Sequence, residues 1–446
     1  MNNKNHNTKI SNLTHYLRWL SPGIGIKRWI LITLLGTTFV GVGVGVVLLH
    51  FYRTAPESWW LPLLSVISLR FLARPIRALI FIGIGFVLII GGIYGMSHSL
   101  IKPFVKPGQK VVDELTQHKK LEKGPKIVAI GGGHGLANLL RGIKEHTYNI
   151  TAIVTVADDG GSSGKLRRGY GILPPGDLRN CLAALSDDEA LLSQLFQYRF
   201  PDSQTELDGH SFGNLFITAL ADIMGGFEEA VAESGRVLAV KGRVLPSTIN
   251  TVSLIADVNI PMAETDLRIE GESAIPRTNG KVKRVYLQPE APPAFPETIN
   301  AILNADLIVI GPGSLYTSIL PNLLVPEITQ AIRSSKAFKV FVCNIATQKG
   351  ETDHYTCEDH IHAVENHVGA GIFDLVLVNR YPKFNVGNKA EWVQLDHDLP
   401  NHYQTLSEKL YDETNPTSHD AGKLAKTLIE IYHDQERWLK GNRNYL

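Results

Sequence analysis

Four glycines in five positions, Gly131, Gly132, Gly133 and Gly135, stand between an apolar run, KIVAI (126–130), and a helical pattern over 135–145. Without Cβ atoms, the backbone N–H groups of such a turn can close on an anion, and the helix N-terminus adds a positive dipole. The plain alternative is a tight strand-to-helix turn with no ligand. Four glycines around His134 favour an anion or nucleotide site. The fingerprint G-x-G-x-x-G does not fit, because Leu136 stands where its third glycine belongs, and no Gly-Lys-Ser/Thr follows for a P-loop. The chemistry expected is nucleotide or phosphate binding rather than NAD binding.

A second stretch, VTVADDGGSSGKLRR (154–168), ends a strand on two acids. Asp158, at the strand end, is placed to hydrogen-bond ribose hydroxyls. Asp159 has three open roles: sharing that task, capping the turn, or binding a metal. Gly160, Gly161, Ser162 and Ser163, with Gly164, form a second candidate phosphate nest. Lys165, Arg167 and Arg168 either neutralise it or face solvent on a helix. PPGDLRN (174–180) puts Asp177 at the N-cap of the next helix, a role compatible with ligand contact, with Asn180 following.

GHSFGNL (209–215) sets His210, Ser211 and Asn214 at another helix start, where a lone histidine is more often structural. GPGSLYTS (311–318) is a third strand-to-helix glycine turn, with Gly311, Gly313, Ser314 and Thr317, and the following strand ends near Asn344. Two phosphate-type turns from two halves of one sheet, facing one crevice, suit a diphosphate or a nucleotide beside a second phosphorylated compound. His354, His360, His362 and His367 cluster, but the last three sit at i, i+2 and i+7 of a polar helix. That spacing does not converge on a metal, so surface histidines are expected. No G-x-S-x-G, H-E-x-x-H or C-x-x-C motif occurs.

Strands that carry these turns are predicted at 126–130, 150–157, 306–310, 338–345 and 374–379. Helical patterns fall near 135–145, 178–186, 190–199, 213–224, 227–240, 325–335, 359–368 and 421–439. Continuous apolar strands alternating with helices predict an α/β fold whose mainly parallel sheet is covered on both faces. Residues 244–288 hold short β-type runs without helix, a β-rich insertion or second lobe. Ligands bind such sheets at the carboxyl ends of the strands, where strand order reverses, which selects the same turns independently of any motif.

The 446 residues carry a net charge of +1, but unevenly. Residues 1–110 hold twelve Lys or Arg and one acid, Glu57; the remainder holds 32 bases and 42 acids. The stretches 29–49 and 78–101 contain no charge and are long enough to span a bilayer as helices. The expected organisation is a cytoplasmic tail (1–28), a two-span membrane anchor (29–101), a linker (102–124) and a soluble body (125–446). Two spans leave both termini on one side. Cys181, Cys343 and Cys357 are an odd number with no obvious pairing, which suits a reducing cytoplasm. The location expected is the cell membrane, multi-pass, with the C-terminal domain in the cytoplasm. Nucleic acid is not expected as a partner, because the basic end faces lipid and the body is acidic. A homo-oligomer is a general expectation for such folds.

IVAIGGGHGLANLLRGIK, VTVADDGGSSGKLR, LPPGDLRNCLAAL, HSFGNLFITAL and IGPGSLYTSILPNLLVPEI together resemble the gluconeogenesis-factor proteins of the YvcK type. These are bacterial relatives of 2-phospho-L-lactate transferase of the CofD type. The resemblance covers roughly 125–437 and leaves 1–110 outside it. It implies a Rossmann-like, doubly wound core that binds a UDP-sugar such as UDP-N-acetylglucosamine. It also implies a regulatory role linking carbon metabolism to cell-wall synthesis and cell shape, with a protein partner there. Asp158 or Asp159 would take hydroxyls, the Gly–Ser nest diphosphate, and Asp177 and Asn180 the second part of the crevice. The transferase branch would act on a deazaflavin with a GDP-linked donor and Mg²⁺, which implies Asp177 and Asp159 as candidate catalytic carboxylates and Asp158, Asp159 or Asp177 as the place of the Mg²⁺. Its Pro-Asp-Leu-Asp stretch matches Asp177 but departs at Arg179 and Asn180, which places this chain with the regulators.

Overall fold

In the computed structural model of the chain, residues 71–101, 111–186, 190–201, 207–260, 265–278, 280–380, 391–395 and 403–435 are described, with isolated positions between 34 and 69. The chain divides into two compact units, Met1–Lys120 and Leu121–Leu446.

In the first unit, Arg74–Ile101 forms one helix of 28 residues, α1. Its side chains Leu79, Ile82, Val87 and Ile90 are exposed. A second helix, α2 (Val111–Glu122), lies within the stretch expected as a linker and ends just past the division between the units. The two membrane spans expected from the sequence are not established. Among the described residues no helix is long and apolar enough to cross a membrane. The first stretch, 29–49, lies largely outside the described residues. Side chains of the second are described only as far as Gly91, which falls short of the ~20 apolar residues that a crossing takes.

The second unit is built on apolar runs that are buried along their whole length. Ile127–Gly131 (β1), Ile150–Val154 (β2), Leu307–Ile310 (β7) and Leu375–Asn379 (β9) are buried at every position, as strands covered on both faces must be. With Arg243–Pro246 (β3), Phe338–Val342 (β8) and Gln404–Glu408 (β10) they form a seven-stranded sheet in the order β10-β9-β8-β7-β1-β2-β3. Every pairing in it is parallel. The sheet thus starts at β1, grows to one edge through β2 and β3, then returns to the other side of β1 and grows outward through β7 to β10. Ser253–Asn259 (β4), Leu267–Glu270 (β5) and Lys281–Gln288 (β6) form a separate antiparallel sheet, which is the β-rich insertion expected from the sequence.

The helices that matter for the site are α3 (Gly133–Ile143), α4 (Gly161–Tyr170), α5 (Gly176–Leu185), α6 (Ala190–Gln197), α7 (Phe212–Met224) and α8 (Phe227–Val237). α9 (Pro296–Leu303), α10 (Pro326–Ser334), α11 (Cys357–Val368) and α12 (Ala421–His433) complete the layers. α3 packs against α5 and α12. Its buried side chains Leu136, Leu139, Leu140 and Ile143 follow the spacing of one helical face. Two strands differ from expectation. β3 continues the parallel sheet although it falls in the stretch assigned to the insertion. β10 is Gln-Thr-Leu-Ser-Glu, half-buried throughout, so an edge strand left no apolar signal.

Candidate functional site

β1 and β7 are neighbours in the sheet but are separated in the chain by β2 to β6, so strand order reverses between them. Their carboxyl ends splay into opposite connections, and a crevice opens there. A cleft of about 600 Å³ occupies it. Its lining includes Gly132, Gly133, His134, Gly135, Gly313, Ser314 and Asn344, which the sequence nominated, and a wall from Asp412 to His419, which it did not.

The two glycine turns meet backbone to backbone. A Cβ on Gly135 would stand 2.8 Å from the Pro312 carbonyl oxygen and 3.0 Å from Gly313 Cα. Gly133 adopts a φ of 61°, which glycine reaches without strain. Asn322 donates to the Gly131 carbonyl at 2.8 Å and fixes the end of β1 from below. The second turn is held from within. Gly313 N–H donates to Asn344 Oδ1 at 3.2 Å, and Asn344 Nδ2 donates to the Gly313 carbonyl at 2.8 Å. Gln348 donates to Ser314 Oγ at 2.7 Å. Thr317 does not face the cleft: its hydroxyl donates to both oxygens of buried Glu351 at 3.3 Å. Backbone N–H groups of Tyr316 and Thr317 also reach Glu351, so a carboxylate of the protein already occupies that helix start. Gly311 bonds to Ile130 through its N–H at 2.8 Å and has φ of 81°. The third glycine turn, expected as one of the phosphate-type turns, is therefore largely satisfied by the protein itself.

A carboxylate cluster lies beside the cleft at the end of β2. Asp158 accepts from Gly160 N–H at 2.8 Å, and Asp159 accepts from Ser273 N–H at 2.9 Å. Asp158, Asp159 and Glu272 bring carboxylate oxygens within 4.8 Å of one another. Asp177, on the first turn of α5, joins this cluster to the cleft floor. A Cβ on Gly132 would stand 2.6 Å from Asp177 Oδ2, and Gly133 N–H donates to its carboxylate. Desolvation first, and then the charge of Asp158, push Asp177 up to about 7; the Gly133 N–H and Arg179 pull the other way. Glu272 is driven upward by desolvation, then by Asp158 and Asp177, and shares a hydrogen bond with Asp158. An all-oxygen set of this kind fits a hard divalent cation such as Mg²⁺ and offers nothing to a softer metal. Sequence reasoning missed Glu272, because only the folding of the insertion brings it to β2.

The Gly–Ser nest is placed differently from expectation. Residues 161–170 are α4, and the hydroxyls of Ser162 and Ser163 point inward. Ser162 Oγ lies 3.0 Å from His210 Nδ1, and Asn214 Nδ2 donates to Ser162 Oγ at 3.1 Å and Ser163 Oγ at 3.5 Å. All four side chains are buried and none lines the cleft. They lock α4 onto the start of α7. Desolvation, with Lys165 and Arg199 nearby, lowers the His210 pKa, so the ring is neutral in this role. Gly160, half-buried, caps α4, and Gly161, exposed, begins it. Asn180 accepts from Arg179 at 2.7 Å and lies outside the cleft lining. The three bases of this stretch serve backbone carbonyls: Lys165 to Asp208 at 3.0 Å, Arg167 to Val252 at 2.7 Å and Arg168 to Asp159 at 3.4 Å.

The histidines of 354–367 also need correction. His354 and His362 are exposed, but His360 is 1% exposed, with Nδ1 against the Thr356 carbonyl at 2.7 Å. His367 accepts from Val285 N–H at 2.9 Å. α11 turns Cys357, His360, Ile361 and Val364 inward, which makes these two rings packing elements. Cys181, Cys343 and Cys357 are all buried free thiols.

The profile of the family described as 2-phospho-L-lactate transferase CofD matches residues 127–431. A gluconeogenesis factor of Bacillus subtilis is 47% identical over 70% of this chain and 90% of its own length. A gluconeogenesis-factor relative from Nostoc sp. is 44% identical over 94% of this chain and 93% of its own. The crystal structure of a UPF0052-family protein from Bacillus halodurans superposes with a TM-score of 0.64 at 45% identity, covering 69% of this chain and 99% of that one. With its parallel sheet, its crevice at β1 and β7 and these relatives, the chain belongs to the CofD-like family, among the gluconeogenesis factors.

Proposed function

We propose that the protein is a nucleotide-sugar-binding regulator that takes a UDP-sugar of the UDP-N-acetylglucosamine type in the cleft between β1 and β7. The observation that carries this reading is the cleft itself, of a size usual for small-molecule sites, at the sheet's reversal point, floored by Gly132–Gly135. Backbone N–H groups at the start of α3 after Gly133, whose own N–H goes to Asp177, would take phosphate oxygens. The Ser314 hydroxyl, which accepts from Gln348 and can still donate, and the polar wall at 412–419 offer partners for sugar and base. The relatives' designation as gluconeogenesis factors supports a place in carbon metabolism. The proposal includes a regulatory output to cell-wall synthesis and cell shape through a protein partner. Thermal shift of the full chain with UDP-N-acetylglucosamine, GDP and a deazaflavin tests the reading; it requires a shift with the UDP-sugar and fails if that ligand has no effect.

The proposal also attaches the chain to a cell membrane through residues 29–101, with the second unit on the cytoplasmic side. Its support is the uncharged stretch 78–101 and the exposed apolar side chains of α1. Resistance of the full chain to alkaline carbonate extraction is the expected result; release into the soluble fraction contradicts it.

One observation favours a second reading. The cluster of Asp158, Asp159 and Glu272, reached from the cleft through Asp177, suits a transferase that uses a divalent cation. Mg²⁺ held there would neutralise phosphate charge. In that reading Asp177, held near Gly133, would orient an acceptor hydroxyl or hold its proton. A Mg²⁺-dependent shift with GDP or a deazaflavin, and none with the UDP-sugar, selects it.

A further inference from the structure

We propose that Arg141 is the cation of the phosphate site, its guanidinium engaging the oxygens of a phosphate group held over the Gly132–Gly135 turn. The inference rests on the nucleotide-sugar reading and deepens it by naming the group that meets the diphosphate charge.

The bases that the sequence offered for this task are engaged elsewhere. Lys165, Arg167 and Arg168 donate to backbone carbonyls, and none of them lines the cleft. Among the described residues that line it, Arg141 is the one lysine or arginine. It is exposed, and no hydrogen bond or ion pair engages it among the described residues. The cleft's carboxylate, Asp412, bonds instead to the N–H and hydroxyl of Thr414, both at 2.8 Å.

The position of Arg141 on α3 is regular. His134, Asn138 and Arg141 stand at i, i+4 and i+7, and all three line the cleft. They form one polar stripe running along the cleft wall from the glycine turn. Asn138 Nδ2 bonds to the His419 carbonyl and ties the stripe to the opposite wall. Arg141 lies about 10 Å along the axis from His134 at 1.5 Å per residue. Helical side chains lean toward the N-terminus and cover the turn before their own Cα. A side chain as long as arginine therefore reaches back toward the anion site, where its planar fork matches two phosphate oxygens. The competing role is a basic group complementing the negative end of the α3 dipole. That role would change the stability of the free protein and leave ligand affinity alone.

Isothermal titration of the full chain in detergent with pyrophosphate and with UDP-N-acetylglucosamine, for wild type, Arg141→Gln and Arg141→Lys, tests the assignment. Glutamine is a good helix former, so the fold is kept, and the melting temperature of the free protein checks this. Arg141→Gln is expected to bind both probes roughly 10-fold or more weakly, with a shallower salt dependence, and Arg141→Lys to fall between. Equal affinities for wild type and Arg141→Gln overturn the assignment, as does failure of wild type to bind either probe. Pyrophosphate binding that needs Arg141, without binding of the UDP-sugar, keeps the phosphate site and overturns the nucleotide-sugar reading instead.

Discussion

Asn344 and Gly313 exchange two hydrogen bonds, the amide oxygen taking the glycine N–H at 3.2 Å and the amide nitrogen giving to its carbonyl at 2.8 Å. A side chain at the end of β8 thus mimics a strand partner for the turn at the end of β7. Asn344→Ala removes both bonds and leaves two backbone groups without those partners. The expected loss is about 1–3 kcal/mol of stability, with weaker ligand binding. Urea unfolding and ligand titration of the variant measure both. A variant as stable as wild type would show that the turn holds itself.

Gly135 is the contact point of the two glycine turns. A methyl group there would press on the Pro312 carbonyl and Gly313 Cα, both backbone, which cannot swing aside. Gly135→Ala is expected to cost about 1–3 kcal/mol by overpacking and to lower affinity by parting the turns. Gly169, where added atoms meet nothing within 4 Å, is the control. Equal melting temperatures for Gly135→Ala and Gly169→Ala would contradict the close approach.

Glu351 sets a pH dependence. It is 7% exposed, and burial pushes its pKa up to about 7 from an ordinary 4.5, against the pull of the Thr317 hydroxyl and the N–H groups of Tyr316 and Thr317. The native state therefore binds this proton more tightly than the unfolded chain. Its contribution to stability is largest below about pH 4.5 and declines as pH rises toward about 7. Glu351→Gln is expected to flatten the decline in melting temperature between pH 5 and 8. An unchanged slope would assign the titration to another group.

The carboxylate cluster predicts a cation effect. Mg²⁺ is expected to raise the melting temperature of wild type, with about 2.7 kcal/mol gained at ~100-fold its Kd. Glu272→Gln and Asp158→Asn are expected to lose most of that gain. A Mg²⁺ response that survives both changes would place the cation elsewhere.

Much of this architecture was legible in the chain. Five largely apolar runs became β1, β2, β7, β8 and β9, since strands covered on both faces need mostly apolar side chains. The first glycine turn and its place at a strand's carboxyl end were equally plain. Other residues were hidden by geometry. The Gly-Ser-Ser-Gly stretch looks like an anion nest because small polar residues suit both a nest and a helix start; only His210 and Asn214, about 50 positions away, decide that Ser162 and Ser163 turn inward. Glu272 and the wall at 412–419 reach the site through long-range packing that no local pattern records. Arg141 was within reach of the sequence, since its i+7 spacing from His134 is a helical face, but a basic residue near a helix end has an ordinary explanation.

The central claim is that the crevice at β1 and β7 holds a nucleotide sugar. The most direct test is isothermal titration of the full chain in detergent with UDP-N-acetylglucosamine, for wild type and Gly135→Ala. Saturable binding by wild type, weakened in the variant, is the predicted result. No binding by wild type, or equal affinity in both proteins, would contradict it.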